Sequence, residues 1–209
     1  YGVDAWWCDS SEPFTPEWSH IERTEPAIQY EEYKRTAGEY LGEAHTNDFA
    51  LYHASAIYEG QRSELAKGGE DKRVFNLTRS AWTGQQKYGT VMWSGDTAAS
   101  WETFRKQIPA GLNFCASGLP YWTADIGAFF VKRGDCWYWD GEYDGTTNDP
   151  AYLELYTRWY QWCCFLPIFR GHGTDCRREL WNFQGEGGAF YRAMLRANKL
   201  RYEFLPYIY

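Results

Sequence analysis

The sequence predicts an α/β fold built around a parallel sheet. Short apolar runs, each followed by polar residues, alternate along the 209 residues with longer stretches of helical spacing. The dipeptide Asp149-Pro150 is typical of a helix start, because it combines an N-cap residue with Pro at the first helical position. Strands that alternate with helices indicate right-handed crossovers, and such crossovers produce a parallel sheet.

Each element follows from a local pattern. Four apolar runs are predicted to be buried strands, namely Val3–Trp7, Arg73–Leu77, Leu119–Trp122 and Phe165–Phe169. Helices are predicted in four other stretches, the first two from aromatic and apolar side chains at helical spacing and the third from a segment that is apolar almost all round. These cover residues 26–58, 101–112, 149–164 and 188–202, with charged or Gly-rich loops predicted at 60–73 and 131–148.

Four strands that end in polar residues fit one side of a (β/α)8 barrel, in which chemistry takes place at the carboxyl ends of the strands. A doubly wound sheet is the alternative. That fold normally carries a Gly-rich phosphate turn after its first strand, and the segment Asp9-Ser10-Ser11-Glu12-Pro13 is not such a turn. The chain opens at Tyr1 without Met or a basic region, and its last residues, Leu205–Tyr209, are apolar, so we expect an internal fragment of a larger protein.

Composition excludes several functions. Lys and Arg number 21 against 28 Asp and Glu, a formal net charge of −7, which argues against binding to nucleic acid or to an anionic membrane. No run approaches 18 consecutive apolar residues, so no membrane span is predicted. The six Cys and four His show no zinc-binding spacing. The 12 Trp and 17 Tyr have flat faces that suit sugar rings as well as protein cores.

The candidate catalytic groups share one pattern, an aromatic residue followed two or three positions later by Asp. The pattern occurs in Trp7-Cys8-Asp9, Trp93-Ser94-Gly95-Asp96 and Trp122-Thr123-Ala124-Asp125, with the basic residues Arg79, Arg170 and His172 after other predicted strands. Paired carboxylates suit glycoside cleavage. One attacks or stabilises the anomeric carbon and the other protonates the leaving oxygen.

Each candidate also has a purely structural interpretation. Asp9 and Asp96 can cap the helices that follow them, Arg79 can be an ion-pair partner, and His172 can be a loop histidine with its hydrogen bonds satisfied. Composition and spacing alone leave both interpretations open.

Longer segments carry a family resemblance. Ala5-Trp6-Trp7-Cys8-Asp9-Ser10-Ser11-Glu12-Pro13 resembles the nucleophile segment of glycoside hydrolase family 31, whose usual form is Trp-x-Asp-Met-Asn-Glu-Pro. Four further segments match later parts of the family pattern in the same order. They are Arg79–Gly89 with Trp93–Asp96 for the acid/base, Ser117–Gly127 and Phe165–Gly173 for the next two strands, and Leu200–Tyr209 for the late barrel helix.

The resemblance implies that residues 1–209 form an incomplete catalytic (β/α)8 barrel, from about the fourth strand through the late barrel helix. The family's N-terminal β-sandwich, first barrel strands and C-terminal β-domains would then lie outside this chain, and the sandwich and strands would complete the pocket. The implied reaction is exo-acting, retaining hydrolysis of a terminal α-linked glucose or xylose from an oligosaccharide. A non-catalytic carbohydrate-binding protein and a transglycosylase on the same scaffold are the alternatives.

Carried over to this chain, the resemblance makes Asp9 the nucleophile and Asp96 the general acid/base. It implies no metal and no organic cofactor. Carboxyl groups in these two roles lie roughly 5–5.5 Å apart in retaining enzymes. The sequence departs from the family pattern at Ser10-Ser11, in place of Met-Asn, and at Thr97, in place of a frequent Asn. The implied sugar contacts are Arg79, Trp93, Asp125 and His172, with Trp7 and Phe129 in the apolar wall.

Overall fold

The computed structural model describes residues 3–13, 26–134 and 140–209. Within these ranges the strands are β1 (Trp6–Cys8), β2 (Asn76–Thr78), β3 (Thr90–Trp93) and β4 (Trp122–Thr123). The α-helices are α1 (Pro26–Leu41), α2 (Phe49–Lys67), α3 (Trp101–Ala116), α4 (Pro150–Cys163) and α5 (Ala189–Ile208). The chain divides into two compact units. The first runs to Met92 and includes Ser117–Leu119, and the second comprises Trp93–Ala116 and Pro120–Tyr209.

The first unit contains a parallel sheet in the order β1-β2-β3. Trp7 pairs with Leu77, and Leu77 pairs with Val91. Strands β2 and β3 are fully buried, whereas Trp6 and Trp7 of β1 are 46% and 50% exposed. The prediction of a buried first strand is therefore wrong for β1, because β1 pairs with β2 alone among the described residues.

The second unit has its core around α4. Tyr152, Tyr156 and Trp159 of this helix are fully buried and lie in one cluster with Met194 of α5. The predicted start of α4 is confirmed, since the Asp149 carboxylate accepts a hydrogen bond of 2.9 Å from the Ala151 amide. In the same unit, the amide of Ser94 donates to the Thr123 carbonyl at 3.2 Å, which places Ser94 beside β4.

The prediction of a strand at Phe165–Phe169 is wrong. This segment consists of turns and bends. Its carbonyl groups are satisfied by side chains, because Arg201 of α5 donates to the carbonyls of Cys164, Leu166 and Pro167. The Thr123 hydroxyl donates to the Ile168 carbonyl at 2.8 Å. The segment is thus anchored next to β4 without forming a ladder of its own.

The boundaries of other elements also differ from the predicted ones. The helical stretch 26–58 is two α-helices separated by a short 3-10 helix at Glu43–Asp48, and α2 continues to Lys67 through part of the predicted loop 60–73. Strand β3 was not predicted. In the predicted loop 131–148, the described residues form no α-helix or strand, while residues 135–139 lie outside the described part. No helix in the described ranges is both long and apolar enough to cross a membrane.

Candidate active site

Asp9 and Arg79 leave the sheet side by side. Cys8, the last residue of β1, is in register with Thr78, the last residue of β2, so the next residue of each strand lies at the same edge. Parallel pairing explains how residues 70 positions apart in the chain meet at one strand end. The Arg79 Nη1 atom lies 2.9 Å from Asp9 Oδ1.

Glu12 binds the same guanidinium from a second direction. Its Oε1 accepts from Arg79 Nε at 2.6 Å, and its Oε2 accepts from Nη2 at 3.0 Å. This bidentate geometry fixes the plane of the guanidinium as well as its position. The sequence pattern assigned no role to Glu12, although Glu12-Pro13 belongs to the motif of the nucleophile segment.

Ser10 and Ser11 tie the loop after β1 to the loop after β2. Ser10 has a left-handed backbone, with φ of 49°, and its Oγ accepts from Arg79 Nη2 at 3.2 Å. The buried Ser11 Oγ accepts from the amides of Arg79 at 3.1 Å and Ser80 at 2.9 Å. The two serines that depart from the family pattern therefore hold Arg79 in place.

The Asp9 carboxylate is oriented through one oxygen. Oδ1 receives both the Arg79 contact and a 2.8 Å hydrogen bond from the Ser10 amide. The side chain is exposed, and Trp7, which precedes it on β1, is half exposed. Asp9 does not cap a helix, because residues 10–13, which follow it directly, contain no helical residue.

In the second unit, the buried Asp125 forms an ion pair with the partly buried Arg170 beside Trp93. Asp125 follows β4 by two residues, and its Oδ1 lies 2.6 Å from Arg170 Nη2. The centre of the Arg170 guanidinium lies 5.2 Å from the centre of the Trp93 ring, which allows a cation–π contact. Arg170 is one of the basic residues after the predicted strands, and the sequence pattern gave it no specific role.

Burial raises the pKa of the Asp125 carboxyl to about 6. The charge and hydrogen bond of Arg170 oppose this rise, and the negative charge of Asp96 adds to it. The carboxyl groups of Asp96 and Asp125 are therefore electrostatically coupled. A carboxyl group with a pKa near neutrality is typical of a functional site.

Asp96 is not needed as the cap of α3. The Ser100 Oγ accepts a 3.0 Å hydrogen bond from the amide of Thr103, which is the usual N-cap contact. The next residue after Asp96 holds a neighbouring loop instead, because the Thr97 carbonyl accepts from the amides of Phe129 and Phe130 at 2.9 Å each.

Phe129 and His172 form an aromatic pair. Their ring centres lie 5.5 Å apart, and both side chains are partly buried. The contact gives His172 a defined place against an apolar ring. In the described part of the chain, no group of three or more His, Cys, Asp and Glu side chains is arranged to hold a metal ion.

Comparison with known proteins identifies the family. The model of the TIM-barrel domain of glycosyl hydrolases family 31 matches residues 1–209. The chain belongs to glycoside hydrolase family 31. The α/β fold and the family resemblance are both confirmed, and the described strands and helices form part of the barrel domain of this family.

Several family 31 proteins resemble this chain along most or all of its length. An α-xylosidase of Saccharolobus solfataricus is 41% identical over 208 residues, which cover all of this chain and 25% of that protein. A solved α-xylosidase from Xanthomonas citri aligns with a TM-score of 0.78 and 37% identity, covering 100% of this chain and 21% of its own. A cycloalternan-degrading enzyme from Trueperella pyogenes, solved in complex with a covalent intermediate, aligns with a TM-score of 0.59 and 26% identity over 80% of this chain and 21% of its own. The chain thus spans about a fifth to a quarter of the length of these relatives.

Six of the eight predicted site residues of this family 31 chain fall into three pairs. Asp9 and Arg79 are joined in the first unit, and Trp93 and Asp125 are joined through Arg170 in the second. Phe129 and His172 form the third pair. Trp7 is exposed on β1, and Asp96 interacts with Asp125 through its charge.

Proposed function

We propose that the full-length protein is a retaining, exo-acting α-glycoside hydrolase that removes a terminal α-linked xylose or glucose from oligosaccharides. The observation that carries the proposal is the Asp9 carboxylate, held at the carboxyl end of β1 by Arg79, which Glu12 fixes in turn. Membership of family 31 supports the reaction class, and the similarity to two α-xylosidases favours xylose.

In the proposed reaction, an Asp9 oxygen attacks the anomeric carbon and forms a glycosyl-enzyme ester. Asp96 donates its proton to the leaving oxygen, then takes a proton from the water that cleaves the ester. Two successive inversions give net retention. The similarity to an enzyme solved with a covalent intermediate supports this double displacement.

The remaining residues would bind the sugar. Asp125 is suited to accept a hydrogen bond from a sugar hydroxyl, because its buried Oδ2 has no hydrogen-bond partner among the described residues. An unsatisfied buried carboxylate oxygen is costly unless a ligand or water completes it. The Phe129 and Trp7 rings are suited to lie against the apolar face of the sugar, with Arg79, Trp93 and His172 as further contacts.

Turnover of aryl α-xyloside, α-glucoside and α-galactoside by the full-length protein tests the activity and its sugar. We expect Asp9→Ala and Asp96→Ala each to lower turnover by at least about 100-fold. Asp4→Ala is the matched control, because Asp4 is an exposed carboxylate just before β1 whose ion pair with Lys72 is long, at 3.9 Å. Near-normal activity in either site variant would contradict the assigned roles.

Added azide separates the two roles by stereochemistry. In Asp96→Ala, azide should attack the glycosyl-enzyme and release an α-glycosyl azide. In Asp9→Ala, azide should attack the substrate directly and give the β-anomer. Sugar binding without turnover would indicate a binding protein, and transfer to an added sugar acceptor in preference to water would indicate a transglycosylase.

A further inference from the structure

Arg178 contacts the backbone of the loop that carries Phe129. Its Nη1 donates to the carbonyls of Ile126 at 2.7 Å and Ala128 at 2.8 Å. Its Nη2 donates to the carbonyls of Phe129 at 3.2 Å and Thr174 at 3.1 Å. One guanidinium thus satisfies four carbonyl groups from two segments of the chain.

The loop needs such support because two successive residues have left-handed backbones. Gly127 has φ of 76°, and a Cβ at this position would lie 2.2 Å from Tyr156 Cδ2. Ala128 has φ of 67°, a conformation that is costly for a residue with a side chain. Strained backbone persists only where its surroundings fix it from several sides.

Arg178 is itself held in place. The Tyr156 hydroxyl donates to the Arg178 carbonyl at 3.0 Å, and the guanidinium lies 5.9 Å from the centre of the Tyr156 ring. Gly173 leaves room for the guanidinium, because a Cβ there would lie 2.2 Å from Arg178 Nη2.

Neighbouring residues hold the same loop through further hydrogen bonds. The Thr174 amide and hydroxyl both donate to the Phe129 carbonyl, at 2.9 Å and 3.2 Å. The Asp175 carboxylate accepts from the amides of Val131 at 2.7 Å and Lys132 at 3.2 Å. The Phe129 carbonyl therefore has three donors, and Arg178 is the one that also donates to the carbonyls of Ile126 and Ala128 before it.

We propose that Arg178 is a positioning residue for sugar binding, which fixes the backbone of residues 126–129 and so sets the Phe129 ring against His172. This inference rests on the function proposed above, in which Phe129 and His172 contact the sugar. A lysine cannot replace Arg178 in this role. Its single nitrogen offers three donors from one point, whereas the planar guanidinium reaches four carbonyls from two nitrogens.

The test compares Arg178→Lys with Arg177→Lys, its exposed neighbour, in the full-length protein. We expect Arg178→Lys to lower kcat/KM for aryl α-xyloside by about 10- to 100-fold, mainly through a higher KM, at a temperature where both variants are folded. Arg177→Lys should leave KM and kcat unchanged. A lower melting temperature with an unchanged KM would mean that Arg178 only stabilises the fold, which would overturn the inference.

A double-mutant cycle shows whether Arg178 acts through Phe129. We expect Phe129→Ala to raise KM, and Arg178→Lys to add little to the KM of Phe129→Ala. If the two substitutions raise KM by factors that multiply in the double variant, the inference is overturned. If Arg178→Lys does not fold, Thr174→Val removes one donor to the same carbonyl, and it should give a smaller KM increase with the same dependence on Phe129. An inactive wild-type protein would instead reject the proposed function, before any variant is compared.

Discussion

Burial and a neighbouring cation act in opposite directions on the Asp125 carboxyl. Loss of solvent raises its pKa to about 6, and Arg170, with Nη2 2.6 Å from Oδ1, limits that rise. The nearby charge of Asp96 acts in the same direction as burial. Asp125 therefore remains mainly ionised at neutral pH, where a carboxylate is the stronger acceptor for a sugar hydroxyl.

Replacing Arg170 with Gln should move the acidic limb of the kcat/KM profile to higher pH. Removal of the positive charge raises the pKa of Asp125 further, and a carboxylate is lost as the pH falls through its pKa. Activity should consequently begin to fall at a higher pH than in the wild-type protein. The measurement is kcat/KM for an aryl α-glycoside across the acid and neutral range.

Arg158→Gln is the control for this change of charge, because Arg158 lies on an exposed face of α4, 3.6 Å from Glu154. This variant should show the same pH dependence of kcat/KM as the wild-type protein. An acidic limb that does not move in Arg170→Gln would mean that ionisation of Asp125 does not control sugar binding.

Helices and strands that depend on neighbouring residues were predictable from the sequence, whereas those that depend on contacts between distant residues were not. The start of α4 at Asp149-Pro150 was predicted correctly, because an N-cap and its amide partner lie within two residues. The strand predicted at Phe165–Phe169 does not form, because Arg201, more than 30 positions away, donates to the carbonyls of Leu166 and Pro167 in this segment. A short strand such as β3, four residues long and fully buried, carries too little periodicity to be recognised.

The same distinction applies to the candidate site. The position of Asp9 and Asp125 after strands was predictable from the pattern of aromatic residues and Asp. The bidentate contact of Glu12 with Arg79 was not, because it depends on how two loops 67 residues apart meet. The partnership of Asp125 with Arg170 likewise joins loops 45 residues apart.

Two glycines inside helices give a matched test of packing at the scale of the element. In α3, a Cβ at Gly111 would lie 2.9 Å from Cε3 and Cζ3 of Trp122, a buried residue of β4 that stacks on Phe114. In α2, a Cβ at Gly60 would meet nothing within 4 Å. The two positions differ in the space available for a methyl group, while the gain in helix propensity is the same.

Gly111→Ala should therefore destabilise the protein, and Gly60→Ala should stabilise it. The first change forces the Trp122 ring to move, at a cost of about 1–3 kcal/mol. The second gains about 0.5–1 kcal/mol from the better helix propensity of Ala. Unfolding midpoints measured by Trp fluorescence in the full-length protein check both, and equal shifts in the two variants would contradict the packing of α3 on β4.

At the scale of the whole molecule, a large amount of aromatic surface is exposed. Trp6 and Trp7 of β1 are each about half exposed, and on α5 Tyr202 and Tyr207 are 74% and 86% exposed. Exposed apolar patches of this kind mark surfaces that other protein segments cover. The chain corresponds to about a fifth to a quarter of the length of its family 31 relatives.

Residues 1–209 produced alone should accordingly self-associate and show no turnover, although the chain contains both Asp9 and Asp96. Exposed aromatic rings favour association, and catalysis needs its groups held within fractions of an ångström. Size-exclusion chromatography and nitrophenol release from aryl α-glycosides measure the two properties. The double variant Tyr202→Glu/Tyr207→Glu should reduce association without restoring turnover, because it changes the surface of α5 and leaves the candidate site as it is. A monomeric wild-type chain with the turnover of the full-length protein would show that these 209 residues hold the site unaided.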